Sequence, residues 1–185
     1  KEDIVTTENT SSGTTAALVI VESYFGSTRT IAEAIAAGLS ETGAQARVLD
    51  VDRAPDVLPA DLDRLVLGAP THNRGLPTAG TRATACKKQG ATTSATGVRE
   101  WLAAVPIPAS TRVAAFDTVV GRNWLSGSAA KAIAKTLRRA GRGEPAVKSF
   151  LVTSGQGPLG DGEEAAARDW GRELAEASPS SGWQR

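Results

Sequence analysis

Five short apolar runs punctuate the chain, and the segments between them follow a different period. The runs are "AALVIV" (16–21), "ARVLDV" (46–51), "RLVLGA" (64–69), "RVAAFD" (112–117) and "KSFLVT" (148–153). They are too short for typical helices and rich in Val, Leu and Ile, as strands covered on both faces should be. Between them, apolar residues recur at four-residue steps: Ile31, Ile35 and Leu39, then Ile133 and Leu137, then Trp170 and Leu174. Trp101 and Leu102 close a further segment opened by Thr96 and Gly97. Gly43, Gly141 and Gly143 read as helix stops, and Pro106 and Pro108 stand before the fourth strand. Strand and helix in alternation predict one α/β domain over residues 16–177, built on a doubly wound parallel sheet of order 2-1-3-4-5. Its ligand crevice is expected at the carboxyl ends of strands 1, 3 and 4. The polar, Thr- and Ser-rich residues 1–15 read as a disordered tail, and 178–185 as a second tail that Trp183 could anchor.

Composition narrows the partners. A chain of 185 residues can bury about 70% of its unfolded surface in a single core. Its 21 basic and 20 acidic side chains leave a formal charge of +1, so no global field draws it to nucleic acid. Cys86 is the only cysteine and His72 the only histidine, which excludes a disulfide framework and a Cys/His zinc site. No apolar stretch reaches the roughly 18 residues of a membrane span, so the expected setting is the cytoplasm, without membrane insertion. Basic residues gather at Arg74, Arg82, Lys87, Lys88 and Arg99, and again at Lys131, Lys135, Arg138, Arg139 and Arg142. They read as solvated faces, the alternative being a docking patch for an acidic partner or for NAD(P)H phosphates.

The chemistry concentrates where the first strand breaks into its helix, in "ESYFGSTRTIAEAI" (22–35). A strand-to-helix corner through Ser23, Gly26, Ser27 and Thr28 directs free backbone amides and hydroxyls to one point, a socket for an anion. Plain N-capping by Ser27 or Thr28 would leave the same trace. Other phosphate schemes fail. There is no Walker glycine pair ending in Gly-Lys-Ser/Thr, and strand 3 ends in Gly68-Ala69-Pro70, not in a phosphoacceptor aspartate. One G-x-G-x-x-G match, "GQGPLG" (155–160), follows the last strand, where Pro158 intrudes and no later strand carries the ribose-binding acid; it reads as a loop.

Ser23-Tyr24-Phe25-Gly26-Ser27-Thr28 resembles the flavodoxin phosphate loop, Ser/Thr-x-Thr-Gly-x-Thr, with Phe25 departing at the third position. "LGAPTHNRGLP" and "AAFDTVVGRNW" resemble the second and third flavodoxin loops, and "PTHNRGLPTAGTR", "GVREWLAA" and "GPLGDGEEAAARDWGRELA" are similar to an actinobacterial branch of that family. The likeness runs over about residues 16–176. It implies a flavodoxin-like fold and an FMN site: the phosphate on the amides of Phe25 to Thr28 and the hydroxyls of Ser23, Ser27 and Thr28, with Tyr24 in the same loop. Pro70, Thr71, His72, Asn73 and Gly75 would line the second loop, and Asp117, Thr118, Gly121 and Trp124 the third. His72 is expected to stack on the flavin or donate a hydrogen bond to it, or to be an ordinary loop histidine. Trp124 is expected against the ring or in packing at the start of a helix. Asn73 and Gly75 fall where a backbone carbonyl could turn toward flavin N5. Asp117 and Thr118 could reach the ribityl chain or the pyrimidine edge, or Asp117 could simply cap the end of strand 4.

The function that the resemblance implies is electron transfer by FMN, with a redox protein as partner and the chain a monomer or weak homo-oligomer. An NAD(P)H-dependent quinone or flavin reductase, and a flavin-free scaffold of the same fold, are the rival expectations.

Overall fold

A computed structural model describes residues 15–90, 95–121 and 127–177. The two expected tails, apart from residue 15, and Trp124 lie outside these residues. The elements run β1 (Ala16–Val21), α1 (Ser27–Glu41), β2 (Gln45–Asp50), a 3-10 turn (Val51–Arg53), β3 (Arg64–Pro70), α2 (Ala79–Gln89) and α3 (Val98–Ala104). There follow β4 (Arg112–Val119), α4 (Ala129–Arg139), β5 (Ala146–Leu151) and α5 (Glu163–Glu176). All five strands are parallel in the order β2-β1-β3-β4-β5, with Val19 opposite Val48 on one side and Val66 on the other. The expected fold class and strand order are those observed.

The continuous apolar runs of the three central strands, β1, β3 and β4, arise because each feeds two cores. Ala17, Val19 and Val21 of β1 join Ile31, Ile35 and Leu39 of α1 and Trp170 and Leu174 of α5 on one face. Leu18 and Ile20 join Trp101 of α3 and Ile133 and Leu137 of α4 on the other. Side chains of a strand alternate between faces, so a strand buried on both has no polar positions to spare.

Strand and helix fail to alternate at one place. The crossover from β2 to β3 carries only the 3-10 turn, because Pro55 and Pro59 interrupt any helix there. Leu58 and Leu62 fill the gap against the sheet, and the Trp101 indole N–H donates to the Pro55 carbonyl at 3.1 Å. The missing helix is offset by two helices, α2 and α3, between β3 and β4. Also, β5 ends at Leu151, two residues before its expected limit; the Val152 amide still donates to the Val119 carbonyl at 2.9 Å, but Val152 bridges Leu159 across a tight loop. Three of the expected solvated cations are structural instead. Arg82 is 3% exposed; the Arg99 guanidinium donates to the Leu76 and Pro77 carbonyls, and that of Arg142 to Ile107 and Ala109.

Candidate functional site

The carboxyl end of β1 lies beside that of β3, the point at which strand order reverses. Here Gly26 takes φ +93°, a value that favours glycine, and ends the loop so that α1 begins at Ser27. Neither Ser27 nor Thr28 caps the helix: Gly26 occupies the N-cap position and no side chain caps it there. The Arg29 amide donates to the Ser23 hydroxyl at 3.3 Å and the Thr30 amide to the Gly26 carbonyl. Among the described residues the Ser27 and Thr28 amides have no acceptor. A helix of 15 residues thus presents two free N–H groups and the positive end of its dipole to the crevice.

Tyr24, Phe25, Ser27, Thr28, Pro70, Thr71, His72 and Thr118 share this crevice of about 100 Å³, joined by Gly155, Gln156 and Gly157. Thr28 and Thr118 bond hydroxyl to hydroxyl at 2.8 Å, tying the first turn of α1 to the end of β4. Gly157 stands so close that an added Cβ would lie 2.7 Å from the Ser27 hydroxyl, and its φ of +92° again favours glycine. The "GQGPLG" segment is therefore a loop, as expected, but one seated against the cup. Its position was not legible locally, since the contact joins residues at opposite ends of the chain.

The second loop is a two-residue hairpin turn. His72 and Gly75 exchange backbone hydrogen bonds at 3.0 and 3.1 Å, while Asn73 and Arg74 take φ of 47° and 65°. Positive φ at both central positions is the type I′ pattern. The left-handed positions thus fall on Asn73 and Arg74, not on Gly75. Asn73 and Gly75 are not crevice-lining residues, whereas the His72 ring packs edge-on to Tyr24 at 6.0 Å.

Of the third loop, Thr118 reaches the crevice and Asp117 does not. The Asp117 carboxylate is fully buried, and one of its oxygens accepts from the Thr71 hydroxyl (2.8 Å), the Ser128 hydroxyl (2.6 Å) and the Ala130 amide (3.0 Å). It fastens the start of α4 to β3 and β4. Gly121 lies apart, in a cavity shared with Ser128 and Lys131.

A second, larger cavity of about 690 Å³ flanks the phosphate-type loop on the β2 side, lined by Glu22, Tyr24, Gly26, Arg29, Asp50 and Arg53 among others. Arg29 is drawn to this side: its guanidinium pairs with Asp50 at 2.5 Å and with Glu33 at 2.9 Å. Glu22, 1% exposed, accepts from the Tyr24 hydroxyl at 3.0 Å, from the Val98 amide at 3.0 Å and from Arg82 at 3.4 Å. Glu22 has no local sequence signal and Arg82 reads there only as a solvated cation, because the partners Arg82 and Val98 lie 60 and 76 residues from Glu22. Among the described residues no group of His, Cys, Asp and Glu could hold a metal ion, and no helix is long and apolar enough to cross a membrane.

The cup suits a phosphate: free amides at a helix start, the Ser27 and Thr28 hydroxyls of the first turn, and no ion-paired carboxylate among the crevice residues, whereas Ser23 lines the larger neighbouring cavity. At about 100 Å³ the described crevice accommodates a head group and not a tricyclic ring; residues 122–126, which include Trp124 of the third loop, lie outside the described residues.

A sequence profile of the Flavodoxin family matches residues 19–99. No curated protein matches the chain. Among solved structures, a flavodoxin from the domain Archaea is similar at 18% identity and a TM-score of 0.57, over 87% of this chain and 96% of that one. Oxidised Flavodoxin 1 from Bacillus cereus is similar at 16% identity and 0.58, over 89% and 100%. The two-electron reduced flavodoxin of Megasphaera elsdenii is similar at 16% identity and 0.54, over 87% and 99%. At these identities the likeness is one of fold.

Proposed function

We propose that this chain, whose fold is that of the flavodoxins and whose residues 19–99 match their family profile, binds FMN and serves as an electron-transfer protein. The observation that carries the reading is the start of α1, where the Ser27 and Thr28 amides stand without acceptors among the described residues at the switch point of the sheet. Ser23, Ser27 and Thr28 would hold the phosphate together with the amides from Phe25 to Thr28. Arg29 is engaged by Asp50 and Glu33, so amides, hydroxyls and the helix dipole neutralise the head group without a lysine or arginine in the cup. His72 and Tyr24, edge to face, would form the wall from which the ring extends, with Pro70 and Thr71 beneath. When bound, FMN supplies reversible one- and two-electron chemistry, and the protein's part is to hold it and set its environment. The partner is a redox protein met through local complementarity, given a net charge of only +1.

The paired change Ser23→Ala with Thr28→Val tests this. Each hydroxyl bonded to a doubly charged group is worth about 1.5 kcal/mol, so FMN affinity is expected to fall about 100-fold. The folded chain loses the Thr28–Thr118 bond and the acceptor of the Arg29 amide, a cost of about 2 kcal/mol at most. Flavin fluorescence quenching read beside urea unfolding separates the two effects. Unchanged FMN affinity in the paired variant would remove the cup from the account. Steady NAD(P)H consumption with a quinone would replace the carrier by a reductase.

A further inference from the structure

Tyr24 is a partition between two spaces. It lines the narrow crevice on one side and the cavity of about 690 Å³ on the other. Its ring meets His72 and Phe25 edge-on, at 6.0 and 6.5 Å between centroids, and it clusters with Ala85 of α2. The ring is buried, 6% exposed, with the larger cavity along one side. Its polar tether is the hydroxyl, which donates to Glu22 at 3.0 Å.

Glu22 is itself fixed from three elements. It sits at the end of β1, its amide bonded to the Gly68 carbonyl. Arg82 of α2 approaches one carboxylate oxygen at 3.4 Å, and the Val98 amide of α3 donates to the other at 3.0 Å. Glu100 of α3 holds the far side of Arg82 at 2.8 Å. Gly97 closes over the pair so tightly that a Cβ there would lie 2.0 Å from Arg82 and 2.6 Å from Glu22. A buried ion pair is a poor device for stability alone, since apolar residues of like volume often serve as well. Here it converges on the one phenol that walls the crevice.

We propose that Glu22 is a positioning residue: clamped by Arg82 and the Val98 amide, it receives the Tyr24 hydroxyl and so fixes the ring as the wall against which the flavin binds. This rests on the FMN reading above. The charged groups facing Glu22 are Arg82 of α2 and, behind it, Glu100 of α3; across the cavity stand Arg29 of α1, Asp50 of β2 and Asp52 and Arg53 of the 3-10 turn. Burial, with the neighbouring Glu22, raises the Tyr24 hydroxyl above its ordinary value, so it stays a donor at working pH.

The chain has a single tyrosine and a single histidine, so each gives an unambiguous NMR signature. In the flavin-free protein a ring-to-ring cross-peak between Tyr24 and His72 is expected, and in Glu22→Gln it is expected to vanish or weaken severalfold. An amide offers one acceptor oxygen where three donors converge. Tyr24→Phe, which keeps the ion pair and the fold, is expected to weaken FMN binding about 10-fold while leaving inorganic phosphate binding unchanged. Adding Glu22→Gln to Tyr24→Phe should weaken FMN no further, since both act through one hydrogen bond. Full FMN affinity in Tyr24→Phe, or an intact cross-peak in a folded Glu22→Gln, overturns the proposal. A wild-type chain that ignores FMN overturns the flavin reading instead, and the cross-peak still decides whether Glu22 holds Tyr24.

Discussion

Replacing Arg82 with leucine is expected to cost the chain about 3–5 kcal/mol at neutral pH, because it leaves a carboxylate buried without its counter-charge. Glu22 and Arg82 are 1% and 3% exposed, so solvent screens neither. Burial lifts the Glu22 carboxyl above its ordinary value, against the opposing pull of the Val98 amide, Arg82 and the Tyr24 hydroxyl. Stability linked to that proton is fully present below about pH 4.3, the unfolded value, and is lost as the pH rises through the folded one. Removing Arg82 takes away one opposing pull and lifts the folded value further. The gap between wild type and Arg82→Leu should therefore widen from pH 5 to pH 8 in urea unfolding. Pairing Arg82→Leu with Glu22→Leu should recover most of the loss, since nothing charged is then left buried. A gap below about 1 kcal/mol, the scale of an exposed ion pair, would mean that this pair is solvated in the folded chain.

Alanine at Gly171 or Gly38 is expected to destabilise by about 2 kcal/mol each, although alanine is the better helix former. Helices α1 and α5 touch through their backbones. A Cβ on Gly171 would lie 2.2 Å from the Ile35 carbonyl oxygen, and one on Gly38 would lie 2.0 Å from that of Arg168. Carbonyls within helices cannot rotate aside, so the helices must separate, and Ile35, Leu39, Trp170 and Leu174 lose contact across the same face. For a chain of this size the loss corresponds to a drop of about 4–8 °C in Tm. Calorimetry that finds either variant as stable as wild type would mean the two helices pack farther apart. FMN affinity should change little in Gly171→Ala, since α5 does not line the crevice.

The parts of the fold legible in the sequence were those set by neighbours along the chain. Val19, Leu67 and Phe116 sit in runs that only a doubly covered sheet can use, and Gly26 followed by Ser27 and Thr28 marks the corner because the helix period begins there. The crossover after β2 was not legible as helix-free, as Pro55 and Pro59 had to be weighed against an otherwise regular alternation. Long-range pairings were invisible. Nothing beside Glu22 names Arg82 or Val98, nothing in "GQGPLG" names Ser27, and Gly68 looks ordinary until the Phe116 ring is seen 2.0 Å from where its Cβ would be. Asp117 was legible as a polar strand end, but its attachment to Ser128 and Ala130 depends on where α4 starts. Phe25, the departure from the flavodoxin loop, packs with Tyr24 and Ala85, a contact that requires α2 to lie over the loop.

The central claim is that a phosphate head group rests on the first turn of α1, held by amides and hydroxyls. Riboflavin differs from FMN by that group alone, so parallel titrations of the purified flavin-free chain with FMN and with riboflavin test it most directly. The account predicts FMN binding at least about 100-fold tighter, the worth of two charge-assisted hydrogen bonds, with added inorganic phosphate competing. Equal affinity for the two flavins, or binding of neither, would contradict it.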